Sequence, residues 1–379
     1  MAKITVKEQE DYLKKLLKYG DRIKTDKTLV DEILNEHLKN IPHKKLYKFR
    51  TCSNQNFKIL EENCIWMPPA NNFEDKLDCR INIDLKGNEP LINKWFWDVF
   101  PIFIFEILEK VAKDKGYSLP CNVEDFRNGV NECVLPSGKI EIDNVCEFVK
   151  PYLSPEEKDN YEEIVLQIKQ CYYQVEALMK EESNTLCDVI IETINQTKTY
   201  LRDNTLVYCM TERYNNNNLW EKHANHYSGF CIEYSFENYG KVDFDIYKNL
   251  VYLLPMVYRR KIPYFNIVPF MDMSLRKHLF NENVFDDNQE ILTQLNMQLF
   301  YKDKDYDKEH EWRFTIKNKN NSKQPFPFVS AIYAGRDIKP RNLNRLLKIA
   351  KKLEVPVYKQ EISQAKNSYD YKLVKESAK

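Results

Sequence analysis

Three groups of residues in this sequence have types and spacings that could do chemistry. The first is Glu309-His310-Glu311-Trp312-Arg313-Phe314-Thr315-Ile316-Lys317. Apolar residues alternate at Trp312, Phe314 and Ile316, the period of a half-buried strand. Alternate side chains of a strand share a face, so Glu309, Glu311, Arg313 and Thr315 fall together on the other side. Two carboxylates and a guanidinium on one ribbon could steady a developing positive charge or move a proton. The same pattern also suits a solvated face whose acids pair with lysines across the strand. In the second group, Trp220, His223, Ala224 and Tyr227 recur at i, i+3, i+4 and i+7 on one helix face, with Gly229 placed as a C-cap. Its rings could stack on a planar ligand or simply fill the core. The third is Arg50, at the end of a strand candidate. It could grip a phosphate or carboxylate through two parallel hydrogen bonds, or form a surface ion pair.

Other chemistries find less support. His223 and His226 lack a carboxylate or thiolate at ligand spacing, and the zincin pattern is absent, so no metal site is assigned. Tyr258-Arg259-Arg260-Lys261 reads as a solvated basic strand end. The 8 glycines form neither a GxGxxG nor a GxxxxGK[ST] motif, which argues against doubly wound dinucleotide-binding and P-loop folds. No GxSxG or Cys/His nucleophile signature occurs. The 10 cysteines are single, without a CxxC pair, as expected of reduced thiols in a cytoplasmic protein. Met1 to Asp11 carries no apolar signal segment. The most apolar window, Trp95 to Leu108, is short and interrupted by Asp98, Pro101 and Glu106, so no membrane span is expected. Lysine plus arginine and aspartate plus glutamate both number 57, giving no global attraction to nucleic acid or an anionic membrane.

The elements that must position these groups follow from periodicity. With 43% apolar and 13% aromatic residues, the 379-residue chain can bury a sizeable core. Residues 1–45 read helical through Leu13, Leu16, Leu17, Leu29, Ile33, Leu34 and Leu38. Strands are expected at Leu46 to Thr51, Cys64 to Met67, Leu206 to Met210, Gly229 to Tyr234, Pro255 to Arg259 and Glu309 to Lys317. Pro68-Pro69 stop the second of these, and residues 71–75 read as a turn. Tyr161 to Met179 has the clearest helical spacing, followed by Thr185 to Thr199, so residues 94–200 read as a helical insertion. The chain closes as strand, helix, strand through Val329 to Ala334, Pro340 to Leu353 and Val355 to Tyr358. This predicts an α+β core from residues 46–93 and 201–379.

In order, the segments Leu46-Tyr47-Lys48-Phe49-Arg50, Asn72-Phe73-Glu74-Asp75 with Asp78, Tyr208-Cys209-Met210-Thr211, Trp220 to Ile232, Glu309-x-Glu311-Trp312-Arg313 and the terminal strand-helix-strand unit resemble the bacterial domain-of-unknown-function family 2971. Two departures stand out: the family's Asn-Asp-Pro turn is Glu74-Asp75-Lys76, and its Cys-Phe-Ser strand is Cys209-Met210-Thr211. A looser order of arginine, hydroxyl and Glu-x-Glu is similar to arginine-serine-glutamate ADP-ribosyltransferases. That second resemblance implies a mixed, split central sheet flanked by helices, and NAD as substrate. By position it makes Glu311 the catalytic carboxylate, Glu309 the base for an acceptor and Thr211 the supporting hydroxyl. Arg50 would hold a phosphate, with Tyr47, Trp220, His223, Tyr227 and Arg313 around the cofactor. It further implies a protein or nucleic-acid acceptor, a toxin or antiphage role and an inhibitory partner. Two other readings stay open: a metal-dependent nuclease using His223, His226, Glu309 and Glu311, and a non-enzymatic regulatory module.

Overall fold

The computed structural model describes residues 5–19, 25–73, 122–133, 141–153, 199–265, 289–317, 322–363 and 368–374, with short pieces between 79 and 196. The chain forms two compact units. One combines Met1–Asn82, Gln196–Phe265 and Val284–Lys379, and the other Ile83–Asn195 and Asn266–Asn283. The first unit opens with α1 (Val6–Tyr19), α2 (Lys27–His37), β1 (Lys45–Arg50), α3 (Asn54–Glu61) and β2 (Cys64–Trp66). The second contributes α4 (Val123–Glu132) and α5 (Ile142–Val149). The first unit resumes with β3 (Thr205–Thr211), α6 (Asn217–His223), β4 (Phe230–Ser235), α7 (Phe244–Tyr247), β5 (Leu253–Pro255) and β6 (Val257–Arg259). It continues through α8 (Gln289–Gln298), β7 (Tyr301–Asp303), β8 (Glu311–Lys317) and β9 (Lys323–Pro325). It closes with β10 (Val329–Ala334), α9 (Pro340–Leu353), β11 (Val357–Ser363) and β12 (Ser368–Leu373).

Local chemistry accounts for the helix starts. The Asp26 carboxylate accepts the Leu29 N–H at 3.1 Å, and the Ser53 hydroxyl accepts that of Asn56 at 3.1 Å. Each satisfies an N–H that the first helical turn leaves unpaired. Pro340 sits in the first turn of α9, where its missing N–H costs nothing.

The eight-stranded sheet has the order β12-β11-β10-β4-β1-β3-β8-β5. β10 and β11 run parallel, joined through α9, and the other neighbours are antiparallel. The class is therefore α+β with a mixed sheet flanked by helices. One face packs Leu46, Tyr208, Ile232, Phe314 and Ile332 against α2, α3 and α9 through Leu34, Phe57 and Leu346. On the other face, Tyr47, Phe49 and Cys231 meet Leu219 and Trp220 of α6. Further along that face, Val207 and Leu254 meet Leu13 of α1 and Met297 of α8. In the second unit, Phe126 of α4 meets Phe105, Phe148 and Tyr152 at ring-centre distances of 5.3–5.6 Å. No helix among the described residues is long and apolar enough to cross a membrane.

Four expectations need correction. β8 starts at Glu311, because residues 304–309 form a 3-10 turn and His310 takes a left-handed φ of 45°. Glu309 is thus outside the strand, and alternation does not place it beside Glu311. Nor is β8 half-buried: Glu311 to Thr315 are all buried, since the strand lies between β3 and β5 with packing on both faces. The expected strand Pro255 to Arg259 is divided between β5 and β6, which belong to different sheets. Finally, the helix carrying Trp220 ends at His223, and Asn225, His226 and Tyr227 have φ of 45°, 48° and 64°. The helices expected at Tyr161 to Met179 and Thr185 to Thr199 lie largely outside the described residues, as do Glu74, Asp75 and Asp78.

Candidate functional site

The sheet opens between β1 and β3. β1 pairs with β4 along its whole length, and β3 with β8 along its whole length, but β1 and β3 meet at Tyr47↔Thr211. Beyond that pair Lys48 and Phe49 no longer ladder with Met210 and Cys209. These four residues line a cavity of about 470 Å³, together with Tyr47 and Thr211. Asn72 and Phe73 close it from the turn after β2, and Leu219, Lys222 and His223 from α6. Lys302 of β7, Tyr306, Glu309 and Glu311 complete the lining. That volume is ample for a nucleotide-sized ligand. Each segment of the family-2971 resemblance except the terminal strand-helix-strand unit contributes a lining residue.

Register explains part of this convergence. Thr211 pairs with Tyr47 on one side and Glu311 on the other. Directly opposed residues share a face, so Tyr47, Thr211 and Glu311 form a row across three neighbouring strands. Glu309 joins by a different route. The Lys302 ammonium donates to Glu309 Oε2 at 2.7 Å and to Glu311 Oε2 at 2.6 Å. The Thr211 hydroxyl donates to the Glu309 carbonyl at 2.6 Å.

Arg313 anchors the other oxygen of Glu311. It is fully buried, and its Nε donates to Glu311 Oε1 at 2.6 Å. Its Nη1 donates to the Leu299 carbonyl at 2.7 Å and contacts Cys79 Sγ at 3.0 Å. Burial alone would raise the Glu311 pKa, but the Arg313 and Lys302 charges outweigh it and hold the carboxyl well below its usual range. Glu311 is therefore a permanently ionised group and a poor proton acceptor. Desolvation at the cavity wall lowers the His223 pKa, and the charges of Lys48, Lys222, Lys302 and Arg50 lower it further. The imidazole is neutral at pH 7 in an electropositive setting.

Of the residues read from the sequence, the cavity gathers Glu311, Glu309, Thr211, Tyr47 and His223 in its lining. Arg313 stands behind Glu311 rather than at the surface. Arg50 does not line the cavity; its guanidinium lies 5.3 Å from the centre of the Tyr208 ring. Trp220 and Tyr227 are buried and engaged elsewhere. They stack on each other at 5.8 Å and 9°, Trp220 Nε1 donates to the Tyr214 carbonyl at 2.7 Å, and Arg336 covers Tyr227 at 3.4 Å. The aromatic wall belongs instead to Tyr47, Phe49, Phe73 and Tyr306. His226 is not in the lining, and among the described residues no three His, Cys, Asp or Glu side chains cluster to hold a metal. Sequence reasoning missed Lys48, Lys222 and Lys302, because lone lysines in a lysine-rich chain carry no pattern. Lys48 had one available signal: an ionisable residue between Tyr47 and Phe49 in a strand that must be central.

The comparisons with known proteins bear on one part of this site. Residues 219–314 match the family model described as "Protein of unknown function (DUF2971)". The matched span is less than half of the chain, yet it holds His223, Lys302, Glu309, Glu311 and Arg313. No curated protein and no solved structure gave a match. The comparison with ADP-ribosyltransferases thus rests on residue order and type alone.

Proposed function

We propose that the cavity binds NAD and breaks its nicotinamide–ribose bond, passing ADP-ribose to a macromolecular acceptor or to water. The observation that carries this reading is the row Tyr47–Thr211–Glu311 at the mouth of the split sheet. In the reaction the ribose C1′–N bond breaks heterolytically. The electron pair leaves with nicotinamide, and the ribose becomes oxocarbenium-like. A fixed carboxylate beside that centre lowers the barrier, most strongly where water is excluded. Glu311 suits this task because Arg313 and Lys302 keep it ionised and immobile. The same ion pairing makes it a poor base, so the proton of the attacking hydroxyl or water passes to Glu309, at the more open side of Lys302. Thr211 orients the Glu309 backbone. Phe73 and Tyr306, the less buried rings of the lining, offer faces to nicotinamide or adenine.

The purified chain is incubated with NAD, alone and with cell lysate or nucleic acid, and nicotinamide and ADP-ribosylated products are measured. Nicotinamide release that falls by about a hundredfold or more in Glu309→Gln supports the reading. A well-folded protein that neither binds NAD by calorimetry nor releases nicotinamide in any mixture removes it. Loss of cellular NAD on expression would further support a toxin or defence role restrained by a partner.

A further inference from the structure

The anchor for the ligand's charge remains to be found, since Arg50 stands outside the lining. We infer that Lys48 is the cavity's phosphate-binding residue, an ammonium leaning into the gap between β1 and β3. This rests on the nucleotide reading but not on NAD cleavage.

Alternation along β1 puts Lys48 on the face of Leu46 and Arg50, away from Tyr47 and Phe49. Elsewhere in the sheet that face is packed core. Lys48 nevertheless joins the cavity lining, beside the strand pair that no longer ladders. Its Nζ lies 5.0 Å from the centre of the Tyr208 ring, which also carries Arg50 at 5.3 Å. Two cations over one ring repel each other, and the ring quadrupole offsets only part of that repulsion. The nearest carboxylates of the cavity are already engaged. Lys302 and Arg313 hold Glu311, and Lys302 holds Glu309. Among the described residues no carboxylate bridges to Lys48. A phosphoryl group, with several acceptor oxygens and more than one charge, would complete this arrangement better than a carboxylate. The rings of Phe73 and Tyr306 in the same lining suit an organic phosphate such as a nucleoside diphosphate.

The groups facing Lys48 are Arg50 on β1, Tyr208 and Cys209 on β3, Cys231 on β4, His223 on α6, Lys302 on β7 and Glu311 on β8. Burial, then the neighbouring Arg50 charge, lowers the Lys48 pKa to about 8. Through the interval around pH 8, burial keeps Tyr208, Cys209 and Cys231 protonated, His223 is neutral and Glu311 ionised. Against Tyr208, Cys209, Cys231, His223 and Glu311, Lys48 is shifted into that interval. Its affinity for an anion therefore falls as pH rises through it.

The test measures binding of ADP, inorganic pyrophosphate and adenosine by calorimetry, from about pH 7 to about pH 9.5. ADP should bind at pH 7 more tightly than adenosine. Lys48→Met should weaken ADP by about tenfold or more and leave adenosine unchanged. Lys48→Arg, charged throughout, should bind ADP with little pH dependence, whereas the wild type weakens above pH 8. Equal ADP affinity in wild type and a folded Lys48→Met, or no ADP binding by the wild type, overturns the inference. ADP binding through Lys48 without nicotinamide release would sink the NAD reading and leave this one standing.

Discussion

At the scale of single residues, the carboxylates of the site differ in what they hold up. Glu311 compensates Arg313, which is 0% exposed, and removing one partner of a buried pair strands the other charge. Glu311→Gln should therefore lower stability by about 3 kcal/mol, read from urea denaturation, as well as altering activity. Glu309 is partly exposed and shares Lys302 with Glu311, so Glu309→Gln should cost less than about 1 kcal/mol and is the cleaner probe of chemistry. Equal destabilisation by the two changes would contradict this assignment. A second buried group sets acid stability. His37 Nε2–H donates to the Leu253 carbonyl at 2.6 Å, and Nδ1 accepts from the Tyr12 hydroxyl, so the ring is neutral. Burial lowers its pKa to about 4, only partly opposed by the Leu253 bond. The unfolded chain takes up this proton near pH 6.5 and the folded chain near pH 4. The contribution is complete above pH 6.5 and is lost as pH falls toward 4, to a total of about 3 kcal/mol. Denaturation at stepped pH should show that loss, and it should shrink in His37→Gln.

At the scale of elements, the two most informative parts are those where periodicity misled. Trp220, His223, Ala224 and Tyr227 have helical spacing, but the helix stops at His223 and three successive left-handed residues follow. Tertiary contacts hold that costly turn. Tyr227 stacks on Trp220, Arg336 covers its ring, and the Asp337 N–H donates to the Tyr227 carbonyl at 3.1 Å. Arg336 and Asp337 are distant in sequence, so local spacing could not reveal the turn. The Glu309 break in β8 has the same origin, a left-handed His310 after a 3-10 turn. By contrast, β1, β3, β4, β10 and α9 were readable, because each carries its own period or breaker. The row Tyr47–Thr211–Glu311 was accessible only as an order of segments; its register needs the sheet. A prediction follows for the turn. A Cβ on Gly335 would stand 2.0 Å from the Tyr227 carbonyl oxygen, a backbone atom that cannot yield cheaply. Gly335→Ala should cost about 2–4 kcal/mol, a strain at the top of the usual range for single changes. It should also perturb His223, whose nitrogen shifts in NMR spectra would report movement of α6; a melting temperature equal to wild type would refute the contact.

At the scale of the whole molecule, formal charge and site charge point in different directions. The chain has 57 basic and 57 acidic side chains, so no long-range field draws an anion toward it. The cavity nevertheless brings Lys48, Lys222 and Lys302 together, with its two lining glutamates already paired. These groups come from β1, α6 and β7, distant in sequence and gathered where the eight-stranded sheet parts. Local cations within a recess are screened less than surface charges, and a neutral surround adds no steering beyond roughly a Debye length. Anion binding should thus respond moderately to salt. Raising ionic strength from about 0.05 M to about 0.5 M should weaken ADP binding by about three- to tenfold, mainly through faster dissociation rather than slower association. Stopped-flow measurements would separate the two rates. An association rate that collapses with salt, at constant dissociation, would mean that an extended basic surface guides the ligand, and the recess would lose its claim as the main source of attraction.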